Sequence, residues 1–408
     1  MRLAVVSPFV DRRHGTERAL VELLERLARD YGCEIHLYSQ RVEDVSFHLS
    51  PSGSQKLGSI VWHKLPSLPG PHLLQFLLWF YLNRLFRWFD LTFRGASCDL
   101  VLSPGINCSD ADVVIVHALF HRLREISLET PNPSLPKPNL FRRLHRGLYY
   151  ALLTRLEKRI YSNPRVALAA VSPRTAALLG TYFHRQDVVV IPNGVDTSSF
   201  SPAARLGRRE AARAHWGLQA GEMVLLLIGN DWANKGLPTV LEALKELSDI
   251  QARLLVVGGD LVSPWRDLAR RFGVLDRCVW EPPCAGILDA YAAADVYVSP
   301  SREDSFGMPV AEAMACGLPV ITSALAGVSS LLRDNADGFV LPDPRDARTL
   351  AELIRKLYVQ ADLRIRIGQA AVEAAREWTW DRNAAAVWQY LNHAYARKRP
   401  SQMRDQRQ

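Results

Sequence analysis

Short apolar runs and longer stretches of helical periodicity alternate along this chain, a pattern that predicts an α/β protein with parallel sheets. Leu3–Ser7 is the first run, Thr16–Tyr31 follows with Leu20, Leu23, Leu24 and Leu27 on one helical face, and Glu34–Ser39 is the next strand. Strands over Leu100–Ser103, Val113–Val116, Val166–Val171 and Val188–Ile191 complete a first sheet. The series then starts again. A strand over Val224–Ile228 leads to a helix over Leu237–Leu247, strands over Arg253–Val257 and Val279–Trp280, and a short helix over Leu288–Ala294. The densest stretch is 296–323. There Val296–Ser299 is a strand ended by Pro300, and Ser301–Phe306 is polar turn material. Pro309–Cys316 is a helix that Pro309 opens and Gly317 closes, and Pro319–Ser323 is a buried strand. Gly327 and the Leu331–Gly338 region close this second sheet. The expected organisation is a first domain over 1–195 and a second over 196–379 that opens with a polar, basic connector at 201–218. A basic, disordered tail is expected over 398–408.

Several segments depart from this rhythm. Residues 48–58, rich in Ser, Gly and Pro, are expected to form a loop, as are residues 125–140 with Pro131, Pro133, Pro136 and Pro138. Pro71–Asp90 is a helix whose uncharged apolar core, Leu73–Leu82, is broken only by Gln75 and is half the ~20 residues that span a bilayer. Gln75, Asn83, Arg84, Arg87 and Arg94 fall along one side of it, with Leu, Phe, Trp and Tyr elsewhere. Two readings stay open: a helix packed between the sheet and its neighbours, or one lying in a membrane interface with arginines at its polar edge. A helix over Leu140–Tyr161 carries Leu144, Leu148, Leu152, Leu156 and Ile160 in an i,i+4 row. Arg142, Arg143, Arg146, Arg155, Lys158 and Arg159 lie off that row and suit either solvent or anionic lipid.

At 408 residues the chain is too long for one ordinary core, and 48% apolar with 23% charged residues is the composition of a soluble globular protein. Cys33, Cys98, Cys108, Cys278, Cys284 and Cys316 are scattered without a C-x-x-C pair. That argues against a zinc site or a disulfide framework and suits a reducing compartment. The start, MRLAVVSPFV, makes a poor signal peptide, so a cytoplasmic location is expected. A net charge of +8 admits nucleic acid, an anionic bilayer or an acidic substrate. No nucleic-acid-binding motif accompanies it, and nucleic acid is not expected as a partner.

Candidate chemistry gathers at the carboxyl ends of strands, where open α/β sheets bind ligands. The loop after Val296–Ser299 carries Glu303 and Asp304, with Gly307 just before the helix and Glu312 inside it. A glycine at a helix N-terminus leaves N–H groups to meet an anion such as phosphate. Carboxylates are poor phosphate ligands but good acceptors for hydroxyl groups, so a sugar beside a diphosphate suits both. Lys235, in the loop GNDWANKG before a helix, is placed to meet a phosphate as a point charge. Asn193-Gly194 marks a turn directly after a strand. Near the start, the loop PFVDRRHGTER contains Gly15, where backbone can approach a ligand, although G-x-G-x-x-G is absent.

The run from Ser305-Phe306-Gly307 through Glu312-Ala-Met-Ala to Pro319-Val320 resembles the signature of retaining GT-B glycosyltransferases of family 4, the glycosyl transferases group 1. Ile191-Pro192-Asn193-Gly194-Val195-Asp196 with Phe200 is similar to a second hallmark of that family, at its passage between domains. His14-Gly15-Thr16-Glu17-Arg18 takes the place of the family's glycine pair, small residue, Glu and Arg. The resemblance implies two Rossmann-like domains facing each other across a cleft. It also implies a helix over about 380–397, near Trp378, Trp380 and Trp388, that crosses back to the first domain. Counting back from Glu312 puts the first acidic position, for donor-sugar hydroxyls, on Asp304, where the family usually has Glu; Glu303 is the alternative. Glu312 would bind the ribose, and the amides after Phe306-Gly307 the diphosphate. Lys235 would hold the diphosphate too, but the family's arginine five residues earlier is Asn230 here. His117, at a strand end, takes the place of a histidine beside the donor sugar, with His121 in reserve. The loop Glu281–Ile287 would face the nucleotide base.

What the resemblance implies is transfer of a hexosyl group from a UDP- or GDP-sugar to a glycan or lipid-linked acceptor, with retention of configuration, without metal or cofactor. The two unusual helices add peripheral contact with an anionic membrane and a place in envelope polysaccharide or lipopolysaccharide synthesis. Amides around Phe306, Gly307 and Met308, with Lys235, would meet charge on the leaving β-phosphate. Asp304, Glu312 and His117 are the candidate catalytic residues, with Gly15, Asn193, Asn230, Lys235, Glu303, Ser305, Phe306, Gly307 and Met308 for binding. The rivals are a catalytically inactive nucleotide-sugar-binding relative, a GT-B sugar phosphorylase and a DNA-modifying glycosyltransferase.

Overall fold

The computed structural model describes residues 1–46, 58–67, 72–95, 97–129, 140–283 and 286–405. Its elements in chain order begin with β1 (Arg2–Val6), β2 (Phe9–Val10), α1 (Gly15–Tyr31), β3 (Glu34–Ser39), β4 (Arg41–Val42), β5 (Ser59–Lys64) and α2 (His72–Arg94). Next come β6 (Leu100–Ser103), β7 (Val113–Val116), α3 (Phe120–Glu129), α4 (Leu140–Tyr161), β8 (Ala167–Ala170), α5 (Pro173–Phe183) and β9 (Val189–Val190). The second half holds α6 (Pro202–His215), β10 (Met223–Ile228), α7 (Leu237–Glu246), β11 (Ala252–Val257), α8 (Val262–Phe272), β12 (Cys278–Glu281) and α9 (Ile287–Ala293). It ends with β13 (Val296–Ser299), α10 (Met308–Ala315), β14 (Val320–Ser323), β15 (Phe339–Leu341), α11 (Ala347–Val359), α12 (Ala361–Ala375) and α13 (Trp380–Asp405).

Two compact units result. One comprises Met1–His121, Leu144–Gly194 and Trp380–Gln408; the other comprises Arg122–Arg143 and Val195–Thr379. In the first, seven parallel strands run in the order β5-β3-β1-β6-β7-β8-β9. Runs such as Val113–Val116 are buried throughout, as parallel strands covered on both faces must be. Trp79 and Phe80 of α2, Leu153 and Ile160 of α4, and Leu179 and Phe183 of α5 share one apolar cluster against this sheet. α13 packs on α1, where Tyr31 and Trp388 rings stand 5.3 Å apart and Arg26 pairs with Asp381 at 2.6 Å. In the second unit six parallel strands run β12-β11-β10-β13-β14-β15 over a core that includes Trp232, Leu241, Trp265 and Phe339.

Several expectations are corrected. Residues 202–215 are not a connector but helix α6, with Ser201 as N-cap accepting the Ala204 N–H at 3.3 Å. Its arginines are engaged. Arg205, Arg209 and Arg213 donate to the carbonyls of Ala292, Ala293 and Ala294 at the C-terminal end of α9, and Arg209 and Arg213 also pair with Asp295. Cations are stabilised at such an end, where the last carbonyls lack helical partners. The strand that closes the second sheet is Phe339–Leu341, beyond the 331–338 region. Of the loop expected over 125–140, residues 125–129 belong to helix α3 and Leu140 to α4, while 130–139 lie outside the described residues. The loop expected at 48–58 lies outside them too, except for Gly58. α13 runs to Asp405, across Pro400, in place of a disordered tail from 398.

The two unusual helices are also turned differently. On α2 two residues of the expected polar edge face inward while Arg84 stays exposed: Asn83 is fully buried and donates to the carbonyl of Asn107, and Arg87 pairs with Asp110 at 2.7 Å. Asp90, also inward, accepts from the Tyr38 hydroxyl at 3.1 Å and from His63 at 2.7 Å. Tertiary partners for these polar groups outweigh helical amphipathicity. On α4 the leucine row is only partly buried, with Leu144 and Leu148 at 71% and 58% exposure. The buried positions there are Leu153, Thr154, Glu157, Ile160 and Tyr161. Among the described residues no helix is long and apolar enough to cross a membrane.

Two glycines separate close packing from mere helix weakness. A Cβ on Gly258, at φ +156°, would lie 1.8 Å from the Gly229 carbonyl oxygen, whereas one on Gly207 in α6 would meet nothing within 4 Å. Gly258→Ala should therefore cost roughly 2–4 kcal/mol of stability. Gly207→Ala should add ~0.5–1 kcal/mol by restricting the unfolded chain. Urea unfolding of both variants beside the parent measures the two signs.

Candidate active site

In the second unit, backbone contacts bring two loops together at the carboxyl ends of adjacent strands. β10 leads into 229–236, which ends on Gly236 in the left-handed region at φ +81°. A Cβ there would lie 2.1 Å from the carbonyl oxygen of Pro300, so only glycine lets this loop touch the one that follows β13. Asn234 then ties them: its side chain donates to the Glu303 carbonyl at 2.8 Å, and its own carbonyl accepts from the Arg302 N–H at 2.8 Å. Asn230, the candidate replacement for the family's arginine, accepts from the Gly259 N–H at 3.0 Å and so braces the neighbouring loop after β11.

The loop after β13 turns into α10 through Gly307, at φ +97°, with no side-chain cap on the helix. From behind it is held by Gly327 and Val328, whose N–H groups donate to the carbonyls of Asp304 at 2.7 Å and Phe306 at 2.6 Å. Phe306 and Met308 are buried and Ser305 is half-buried. The Asp304 carboxylate lies between two positive groups: Lys235 Nζ at 2.5 Å on one oxygen and the Phe306 N–H at 3.3 Å on the other. It also stands beside the amide end of α10, since a Cβ on Gly307 would be 3.8 Å from it. An anion held by an ammonium and a helix N-terminus is what this geometry accommodates. Here the chain's own Asp304 takes that place.

The other two acids differ from it. Glu303 is buried and pairs with Arg122 of the same unit at 3.0 Å. Glu312, on α10, is 4% exposed and accepts from the Tyr291 hydroxyl of α9 at 2.7 Å. Burial, and then the Glu312 carboxylate itself, raises the Tyr291 pKa far above the phenol range, so the hydroxyl stays protonated and donates. Tyr291 orients the acid. Both partners escaped the sequence reading, because an aromatic residue on a short apolar helix has the pattern of core and Arg122 stands in no motif.

The remaining candidates fall in the first unit. His117 follows β7 and lines a small cavity with Asn193, Asn383 and side chains of α1. Desolvation pushes its ring down to about 4, which leaves it neutral near neutral pH. Asn193 is buried, beside Pro192, whose carbonyl accepts from Asn383 at 2.7 Å. His121, the reserve, is committed to Glu157 at 2.6 Å. That glutamate also accepts the N–H groups of Phe120 and His121 at the start of α3. Gly15 opens α1 beside a cavity of about 270 Å³ lined by Phe9, Val10, Asp11, His14, Glu17, Arg41 and Glu43. The structure thus gathers Asn230, Lys235, Glu303, Asp304, Ser305, Phe306, Gly307, Met308 and Glu312 in one unit, and His117, Asn193 and Gly15 in the other.

Comparison with known proteins bears on both units. Residues 13–199 match the family model described as Glycosyltransferase Family 4, and residues 208–374 match Glycosyl transferases group 1. A D-inositol 3-phosphate glycosyltransferase of Xylanimonas cellulosilytica is 34% identical over 218 residues, which is 51% of this chain and 52% of that protein. The chain spans about half the length of the curated relatives it matches. Among solved structures, WaaG, a glycosyltransferase involved in lipopolysaccharide biosynthesis, superimposes with a TM-score of 0.73 at 20% identity over 94% of this chain and 99% of that one. Anabaena HepE in complex with UDP and glucose does so at 0.66 and 19% identity, over 96% and 99%. With both sheets Rossmann-like and each matched by a model of the same enzyme class, the chain belongs to the family 4, group 1 glycosyltransferases of GT-B fold.

Proposed function

We propose that this glycosyltransferase moves a hexosyl group from a UDP- or GDP-sugar to a glycan or lipid-linked acceptor, retaining the anomeric configuration. The observation that carries the reading is Asp304, a carboxylate lodged between Lys235 and the amide end of α10. A diphosphate of the donor would take over those positive groups, and Asp304, released, would accept hydrogen bonds from hydroxyls of the sugar. The likeness to a neighbour solved with UDP and glucose supports such a donor. Glu312, oriented by Tyr291, is suited to accept from the ribose hydroxyls. As the bond between the anomeric carbon and the β-phosphate oxygen breaks, charge grows on that oxygen, and Lys235 with the α10 amides stabilises it without reorganising. His117, kept neutral, would accept or donate one hydrogen bond to the sugar without adding charge. The acceptor is assigned to the first unit, to the cavity beside Gly15. Envelope polysaccharide or lipopolysaccharide synthesis, at the cytoplasmic face of a membrane that the enzyme touches peripherally, is the setting this reading favours.

Glu312→Gln is expected to cut sugar transfer by at least about a hundredfold, since a carboxylate acceptor aimed at the donor is lost. The melting temperature should stay near that of the parent, and near-normal turnover would remove the assignment. Asp304→Asn separates its two roles. Removing the resident anion should tighten UDP or GDP binding by about three- to tenfold, while turnover drops. Calorimetric titration against either nucleotide reads the first effect, and weaker binding would contradict the arrangement. A thermal-shift series over nucleoside diphosphates and their sugars identifies the donor. A ligand held at a hundred times its Kd stabilises the fold by ~2.7 kcal/mol, and the response should vanish in Lys235→Ala.

A further inference from the structure

The outward side of the helices over one face of the first sheet has a composition of its own. α2 turns Tyr81, Leu85, Trp88, Leu91 and Phe93 outward, between 52% and 68% exposed. Tyr81, Leu85 and Trp88 recur at steps of four and three, one continuous stripe, and Phe93 meets Trp88 edge-to-face at 6.2 Å. α4 exposes Arg155, Lys158 and Arg159 on the side away from its buried Leu153, Glu157 and Ile160, and α2 adds Arg84. No carboxylate on these helices shares that side. Asp90, the one acid of α2, is turned in to Tyr38 and His63, and Glu157, the one acid of α4, to the amides of Phe120 and His121. α5 has none. Since α2, α4 and α5 share one cluster against the same sheet, their outer sides face the same way.

From this we infer that the face lies on an anionic bilayer, with α2 in the interfacial plane and the α4 cations over the headgroups. The inference specifies where the membrane contact proposed above is made, and it rests on that reading. Charge decides the occupant. A second copy meeting this face with its own would set arginine and lysine against arginine and lysine with no acid between them. A surface of anionic lipid answers both the cations and the apolar stripe, and Trp and Tyr favour the boundary between headgroups and acyl chains. The sequence alone suggested arginines along the edge of α2. In the structure the aromatic contact is made by Tyr81, Leu85 and Trp88, and Trp79 takes no part because it is buried.

The test is co-sedimentation of the full chain with phosphatidylcholine vesicles, plain or mixed with phosphatidylglycerol. The parent should bind the mixed vesicles and not the plain ones. Tyr81→Ser/Trp88→Ser/Phe93→Ser should lose at least about tenfold in partitioning. Arg155→Glu/Lys158→Glu/Arg159→Glu should lose on the order of a hundredfold, with a weaker salt dependence. Should the aromatic variant misfold, a dye on Phe93→Cys reports instead, shifting to the blue on mixed vesicles only. Undiminished binding by either variant overturns the proposal. So does a parent that ignores mixed vesicles, or one that self-associates through this face. Thermal shift with nucleoside diphosphate on the same preparations keeps the two ideas apart. A parent that binds vesicles but no nucleotide sinks the donor reading and leaves the surface standing.

Discussion

Everything at the proposed donor site depends on how closely two backbones pass. Gly236 lies against the Pro300 carbonyl, and Gly258 against that of Gly229, at separations no side chain tolerates. Because of the first contact, Lys235 on one loop reaches Asp304 on the next. Because of the second, the loop after β11 stays beside Asn230. Neither contact stabilises much by itself. Each sets a distance, and electrostatics between an ammonium, a carboxylate and a helix end are steep functions of distance.

Within that frame, one pocket of positive potential is occupied by the chain itself. Asp304 satisfies Lys235 and the Phe306 N–H, which spares an uncompensated partly buried cation. A shorter acid than the family's usual glutamate stays close to the lysine. The arginine absent at position 230 fits the same economy of charge, since Asn230 is engaged with Gly259.

Much of this was legible beforehand, and the illegible part has a common cause. Strands β13 and β14 and helix α10 stand close to where Pro300, Pro309 and Gly317 mark them, because proline and glycine act through local backbone geometry. Lys235 and Asp304 were legible as types of group, though not as partners, since their pairing spans two loops. The face of α2 and the meaning of α6 were hidden for the same reason. Asn83, Arg87 and Asp90 face inward only because Asn107, Asp110, Tyr38 and His63 await them. The arginines of α6 read only as a basic connector, yet their acceptors are carbonyls about eighty residues away. Charge in a sequence reports what needs a partner, never where that partner is.

The grip of α6 on α9 has one more consequence. α9 carries Tyr291, Tyr291 holds Glu312, and Pro202 at the start of α6 lies where a Cβ on Gly317, just past α10, would meet it at 3.3 Å. The helix that follows the Asn193–Asp196 turn therefore braces Glu312 like a strut, touching its supporting helix along one side and the end of its own helix at the other. Guanidinium–carbonyl contacts from three arginines and one hydroxyl–carboxylate bond thus link α6, through α9, to a side chain about a hundred residues further on.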